Sequence, residues 1–334
     1  MAAIKHILYL RKEEIIKAIG IKDVIKIMAQ AFSCLAQGKI GMPARMRIDL
    51  EERKGLMLLM PCYDRQAEKI SLKIIYQFAE NPARGLPLIQ SLLLLADEKD
   101  GQILSIMNGA VVTALRTGAV AGLATDYLAR PEASRLAILG AGVQAEYQLK
   151  AMVAVRNIKN VRVFDVNKGA AETFARKLGK ELGLSVEAVA NPSAAFKNAD
   201  LACTATTSEV PVLEARDVEP GTHINAIGSW HPATREIPSS LILRSRIFVE
   251  SRTAVMEEAG DLIMPVQEGL ISKEALEDRL IEISDLVSGK AAGRESSEQV
   301  TLFKSVGLAV EDLFCASYVY DVCRRKGIGQ ALIP

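Results

Sequence analysis

The chain is 334 residues long, 49% hydrophobic and 24% charged, longer than one hydrophobic core usually organises, so two domains are expected. Lys and Arg number 41 and Asp and Glu 40, a balance with no global field to draw the chain to nucleic acid or an anionic membrane. Five cysteines (34, 62, 203, 315 and 323) without a C-x-x-C argue against a disulfide framework or zinc cluster. The densest apolar run, 92–96, is far short of a membrane span, and no long apolar stretch precedes Arg11 as a secretory leader requires. The reading is a reduced, cytoplasmic protein.

In chain order, Ile15, Ile19, Val24, Met28, Phe32 and Leu35 share one helical face and Gly38 is a natural stop, so a single helix is expected. Strand-like runs follow at 44–50, 56–62, 70–78, 88–96 and 102–107, with Asp100-Gly101 as a hairpin signal between the last two. Strands with few helices predict an antiparallel sheet domain. Near Gly109 the pattern changes. A long apolar helix at 110–129 leads into strand 136–139, helix 144–155, strand 161–165 and helix 170–182, then strand-like runs at 185–189, 201–204, 223–227 and 247–250. Such alternation predicts βαβ units and a parallel sheet covered on both faces. The segment 306–325 reads as a helix that returns to the first domain.

The strongest local signal is Leu136-Ala137-Ile138-Leu139-Gly140-Ala141-Gly142-Val143-Gln144-Ala145, a G-x-G-x-x-A between a strand and a helix. Gly140 permits the tight turn, Gly142 lets the backbone approach a pyrophosphate, and Ala145 is small enough for close helix–strand packing. The helix N-terminus offers N–H groups and a positive dipole end to the phosphates. The next strand ends in Asp165, twenty residues beyond Ala145. A carboxylate there accepts from ribose hydroxyls and repels a 2′-phosphate, which favours NAD(H) over NADP(H).

With these residues in place, the sequence resembles the ornithine cyclodeaminase/mu-crystallin family. The resemblance covers nearly the whole chain: Met42-Pro43-Ala44-Arg45, Ser71-Leu72-Lys73, Thr113-Ala114-Leu115-Arg116-Thr117-Gly118-Ala119, the Gly140 loop, Gly221-Thr222-His223-Ile224-Asn225-Ala226-Ile227-Gly228, and the stretch from Leu302 to Asp312. It implies an α/β fold in which a Rossmann parallel-sheet domain (118–308) is inserted into an α+β dimerisation and substrate domain (1–117 plus 309–334), and a homodimer. It also implies that Arg45, Lys73 and Arg116 hold the carboxylate of an amino or imino acid and form the catalytic set. Arg116, Thr117, Gly140, Gly142, Val143, Gln144, Asp165, Thr204, Thr206, Ile227, Gly228 and Ser229 are the cofactor-binding set that goes with it. The residues themselves support two of the anchors: Lys73 is an ammonium on an apolar strand, where burial demands a partner, and Arg116 is a guanidinium in an apolar helix start. Arg45 and Arg47 share one side of a strand, and only the resemblance favours Arg45.

One departure shapes the functional expectation. Relatives that cyclise ornithine or oxidise alanine carry an Asp two residues beyond the strand-ending Gly, and this chain has Trp230 there, in Gly228-Ser229-Trp230-His231-Pro232. An indole cannot hold a cationic amine or shuttle a proton. The pattern, with Arg235 and Glu236 behind it, resembles members that reduce cyclic imines, with Trp230 as an apolar substrate wall. The expected reaction is therefore NADH-dependent reduction of a small cyclic α-imino acid such as Δ1-pyrroline-2-carboxylate. The alternatives are ornithine cyclodeaminase, alanine dehydrogenase and a non-catalytic, crystallin-like cofactor binder. His231, beside the missing Asp, is read as a surface residue in preference to a substitute acid.

Overall fold

The computed structural model describes residues 6–333 and separates into two compact units: Met1–Arg116 with Leu308–Pro334, and Thr117–Gly307. The first five residues and residue 334, which bear on the reading of a leader and the outer limits of the first domain, lie outside the described residues.

The first unit begins with strand β1 (Ile7–Leu10), helices α1 (Lys12–Ala18) and α2 (Ile21–Ala36), and the short strand β2 (Ile40–Gly41). The single N-terminal helix expected from periodicity is thus two. The apolar stripe continues across the break, but Ile19 is extended and Gly20 starts the second helix as an extended N-cap. The strands β3 (Met46–Leu50), β4 (Gly55–Asp64), β5 (Lys69–Phe78), β6 (Ile89–Asp97) and β7 (Ile103–Asn108) then form an antiparallel meander. Helix α3 (Gly109–Leu128) carries the unit boundary.

The second unit is an α/β layer. It runs β8 (Arg135–Leu139), α4 (Val143–Val155), β9 (Asn160–Phe164), α5 (Lys168–Leu182), β10 (Ser185–Ala188), α6 (Pro192–Phe196), β11 (Leu201–Thr204) and β12 (His223–Ala226). It continues with α7 (Ser239–Arg244), β13 (Arg246–Val249), α8 (Arg252–Glu258), α9 (Gly260–Gln267), α10 (Lys273–Glu277), β14 (Leu280–Glu282), α11 (Ile283–Val287) and β15 (Thr301–Lys304). The chain closes in the first unit with α12 (Ala309–Lys326) and β16 (Gln330–Leu332).

The sheet of the second unit is ordered β10-β9-β8-β11-β12-β15-β13-β14, and every neighbouring pair is parallel. Strands β11, β12 and β15 are buried along their whole length, as parallel strands covered on both faces must be. Strand order reverses between β8 and β11, the switch point at whose carboxyl ends open α/β sheets bind ligands.

The sheet of the first unit is ordered β16-β1-β7-β6-β5-β4-β2, with β3 also paired to β4. Antiparallel register makes opposite residues share a face, so Met60, Lys73, Leu93 and Met107 line up across four strands. All four are buried on the face against which α12 packs. The opposite face carries the row Leu59, Ile74 and Leu92.

Candidate active site

Two constellations emerge, one in each unit. In the first, Lys73 is fully buried between Met60 and Leu93, where an apolar residue would cost nothing. Its Nζ lies 2.6 Å from Asp312 Oδ2 on α12. The other oxygen of Asp312 accepts from Arg116 Nε at 3.1 Å, and Arg116 Nη1 donates to Glu311 Oε2 at 2.7 Å. Glu311 is fixed in turn because its second oxygen accepts the backbone N–H of Leu308 at 2.9 Å. A buried charge survives only when paired, and here two carboxylates on the first turn of α12 hold two cations. Asp312 Oδ2 is thus the buried counter-charge and acceptor for the Lys73 ammonium.

Burial lowers the Lys73 pKa to about 8, reinforced by the charges of Arg116 and Arg45 and opposed by Asp312. The field of Arg45 therefore reaches Lys73, and Arg45 is half-buried. Arg47, by contrast, is exposed and forks onto Asp49 at 2.8–3.0 Å. Sequence reasoning singled out Lys73 and Arg116 but gave Asp312 and Glu311 no role. Their signal was two adjacent acids opening an otherwise buried helix, a pattern that also serves merely to complement a helix dipole.

In the second unit the residues singled out from the sequence gather at the carboxyl ends of β8, β9, β11 and β12. Gly140 has φ +98°, and a Cβ there would lie 2.5 Å from the carbonyl oxygen of Ala205, so only glycine allows the turns after β8 and β11 to meet. A Cβ on Gly142 would meet nothing within 4 Å. Helix α4 starts at that open point with Gly142 as an extended N-cap and no side-chain cap, leaving its first N–H groups to an external acceptor. Val143 is exposed there, and Gln144 carries a buried Oε1 with no partner among the described residues. Asp165 accepts from Ala141 N and Asn167 N, both at 2.8 Å. Its carboxylate thus sits against the glycine turn with lone pairs to spare. This cradle fits the pyrophosphate and ribose of a dinucleotide.

The remaining positions are part of the scaffold. Thr117 is buried, and its carbonyl accepts from Gln148 at 3.3 Å. Ile227 N–H donates to Thr204 O at 2.9 Å. Thr204 directs its hydroxyl to Glu236, and Ser229 directs its own to the Thr234 carbonyl. Thr206 Oγ1 accepts from Ser208 N. Gly228 is held at its N–H by Glu236, a residue to which sequence reasoning assigned no function. Trp230 is half-buried and packs against the core of the second unit. His231 is half-buried and accepts from Ala233 N through Nδ1, which closes a turn. No group of three or more metal-ligating side chains occurs among the described residues, and no helix there is long and apolar enough to cross a membrane.

A parallel sheet with a glycine turn at its switch point defines a Rossmann-type protein. More particularly, the chain belongs to the ornithine cyclodeaminase/mu-crystallin family, whose sequence model matches residues 6–327. It is 35% identical to a Δ1-pyrroline-2-carboxylate reductase of Bacillus cereus, over 95% of this chain and 96% of that one. Among solved structures it is similar to the Thermococcus litoralis Δ1-pyrroline-2-carboxylate reductase in complex with NADH and L-proline, with TM-score 0.94 and 38% identity across 98% of this chain and 100% of that one. An archaeal alanine dehydrogenase dimer with bound NAD follows at TM-score 0.90 and 32% identity, across 98% and 99% of the two chains.

Proposed function

We propose that this protein is an NADH-dependent reductase of a small cyclic α-imino acid, with Δ1-pyrroline-2-carboxylate the leading substrate and L-proline the product. The observation that carries the reading is the buried Lys73–Asp312–Arg116–Glu311 cluster, two cations held by two carboxylates where apolar residues would pack without them. Its likeness to two Δ1-pyrroline-2-carboxylate reductases, one solved with NADH and L-proline, supports the choice of substrate and cofactor.

Arg45, Lys73 and Arg116 bind the substrate carboxylate, with the guanidinium of Arg116 forking onto it. The Gly140 turn, the start of α4 and Asp165 hold the dinucleotide, with the Asp165 charge disfavouring a 2′-phosphate. Bound NADH supplies the hydride that goes to the imine carbon. Lys73 supplies the proton that goes to the imine nitrogen and is reprotonated from solvent, so one C=N bond becomes C–H and N–H. A group with a pKa of about 8 suits proton donation near neutral pH. Trp230 stands where an Asp would be needed to hold the second amine of ornithine, and an indole cannot do so. The test is stoichiometric conversion of Δ1-pyrroline-2-carboxylate and NADH to L-proline. NADH consumption without L-proline would refute the reading.

The pH dependence follows from Lys73. Because its protonated form donates, kcat/KM is expected to fall as pH rises through about 8, the Lys73 value. An anionic substrate stabilises the ammonium, so the corresponding limb in kcat lies at higher pH. Rates measured from pH 6 to 10 check both, and a flat profile would remove Lys73 as the donor.

Substituting Gly140 by Ala places a side chain at φ +98°, 2.5 Å from a carbonyl oxygen. Strained positive-φ residues cost about 1–3 kcal/mol, so NADH affinity is expected to drop by at least about tenfold in a fluorescence titration.

The second part of the proposal is a homodimer formed through the first unit. Met46, Ile48, Tyr76 and Leu92 are exposed on its sheet strands. Ile48 and Tyr76 are joined across the sheet by Met57, and Met46 and Leu92 by Leu59 and Ile74. All lie on the face opposite Lys73. A second copy is the occupant we favour, in keeping with the dimeric archaeal relative. Sedimentation velocity is expected to give a dimer for the native chain and a monomer for Leu92→Glu. A native monomer would refute it.

A further inference from the structure

Glu236 lies outside the cofactor-binding set read from the sequence, yet it is fully buried at the ends of two strands of that site. One carboxylate oxygen accepts from Thr206 N at 2.6 Å. The other accepts from Thr204 Oγ1 and Gly228 N, both at 2.7 Å. The chain leaving β11 and the chain leaving β12 are therefore tied to one side chain. The packing is close: a Cβ on Gly228 would lie 2.3 Å from Thr206 O and 2.4 Å from Glu236 Oε1.

The support continues behind Glu236. Asp261 Oδ1 accepts from the backbone N–H of Glu236 at 2.7 Å and of Ile237 at 2.9 Å. Asp261 Oδ2 pairs with Lys304 Nζ at 2.8 Å, and Lys304, on β15, donates to the carbonyl of Ala226 at the end of β12. All of these groups are buried. A buried carboxylate that accepts from three donors is strongly committed to one geometry.

We infer that Glu236 is a positioning residue for the nicotinamide end of the bound dinucleotide: it locks the turns after β11 and β12 against each other, and so sets the part of the cradle that those two turns form, beyond the Gly140 turn that meets the first of them. The inference rests on the cofactor reading above but not on the identity of the imino acid. Burial above all, and the neighbouring Asp261 charge, hold the Glu236 carboxyl above its ordinary value against the pull of Lys304 and the donors. Each oxygen accepts from a backbone N–H, Thr206 at one and Gly228 at the other.

The substitution Glu236→Gln tests this. An amide has one oxygen, so it can serve Thr206 N or Gly228 N but not both, and its NH2 faces the other N–H. Titrations with NADH and with ADP-ribose, which lacks the nicotinamide, separate the two halves of the site. The expected result is NADH affinity reduced at least about tenfold, with ADP-ribose affinity within twofold of the native chain. Equal losses for both ligands, or no loss for either, would overturn the inference. Should the Gln variant fail to fold, Thr204→Val removes a single donor with little change in shape. It is then expected to weaken NADH at least about threefold and spare ADP-ribose, and the same contrary outcomes apply. A native chain that binds NADH but reduces no imino acid would refute the proposed reaction and leave this test intact. A native chain that binds neither ligand would overturn both.

Discussion

Replacing Lys73 by Met is expected to lower kcat/KM for imine reduction by about a thousandfold while leaving NADH binding intact, at a cost in stability of about 3–5 kcal/mol for the broken buried pair. Met conserves the buried volume between Met60 and Leu93, so the cost of a cavity is avoided. Arg116 Nε still donates to the other oxygen of Asp312 at 3.1 Å, but two buried carboxylates then share one cation, which is where the cost in stability arises. What is lost is the proton donor, a contribution of about 10²–10⁴ in rate, together with one of the cations for the substrate carboxylate. Steady-state kinetics beside an NADH titration check the separation. A variant that retained more than a tenth of native kcat/KM would show that Lys73 neither anchors nor protonates the substrate.

Asp312→Asn has the complementary effect and falls first on stability. Asp312 is the shared counter-charge of Lys73 and Arg116, at 2.6 and 3.1 Å, and all three are buried. Breaking a buried pair by removing one partner costs about 3–5 kcal/mol, because an uncompensated charge remains. Urea unfolding of the first unit is expected to shift to lower denaturant by that amount. Asp312 also raises the Lys73 pKa from below. Its loss moves that pKa further down, so the alkaline limb of kcat/KM shifts to lower pH. Unchanged stability together with an unchanged limb would mean that the Lys73–Asp312 pair does not form in solution.

These two residues also show where the sequence was legible. The Gly140 turn could be read because its meaning is local: a short apolar strand, two glycines and a helix start within ten residues, with Asp165 at the end of the next strand. The central strands of both units were likewise visible, as apolar runs in β4, β8 and β11 and as an apolar-rich run in β5. Lys73 stood out because it alternates with Leu72 and Ile74, so that one face of an apolar strand carries an ammonium. Asp312 did not, because its meaning depends on Arg116, 196 residues away in the chain, and an acid in the first turn of a helix has an ordinary local explanation. Glu236 was hidden for the same reason. Its donors, Thr204 and Thr206, precede it by about thirty residues, in another turn.

The same distinction between local and distant partners explains the elements that were missed. Strands β1 and β16 are four and three residues long and are defined by distant partners: β16 pairs with β1 from the opposite end of the chain, and β1 pairs in parallel with β7. Strand β15 ends in Lys304, whose ammonium is accommodated only because Asp261 meets it. The break between α1 and α2 was invisible to periodicity, since both helices turn compatible apolar faces inward and only the extended backbone at Ile19 and Gly20 divides them. Arg45 and Arg47 could not be told apart by composition. In the structure they differ in burial: Arg45 is half-buried and its charge acts on Lys73, whereas Arg47 is exposed.

The most direct test of the account is a parallel assay of the purified chain with NADH or NADPH and Δ1-pyrroline-2-carboxylate, beside L-ornithine with NAD+. Rapid oxidation of NADH to give L-proline, a much slower rate with NADPH, and no proline from ornithine are the predicted results. Proline formed from ornithine without net change in the cofactor, or no oxidation of NADH by the cyclic imine, would contradict it.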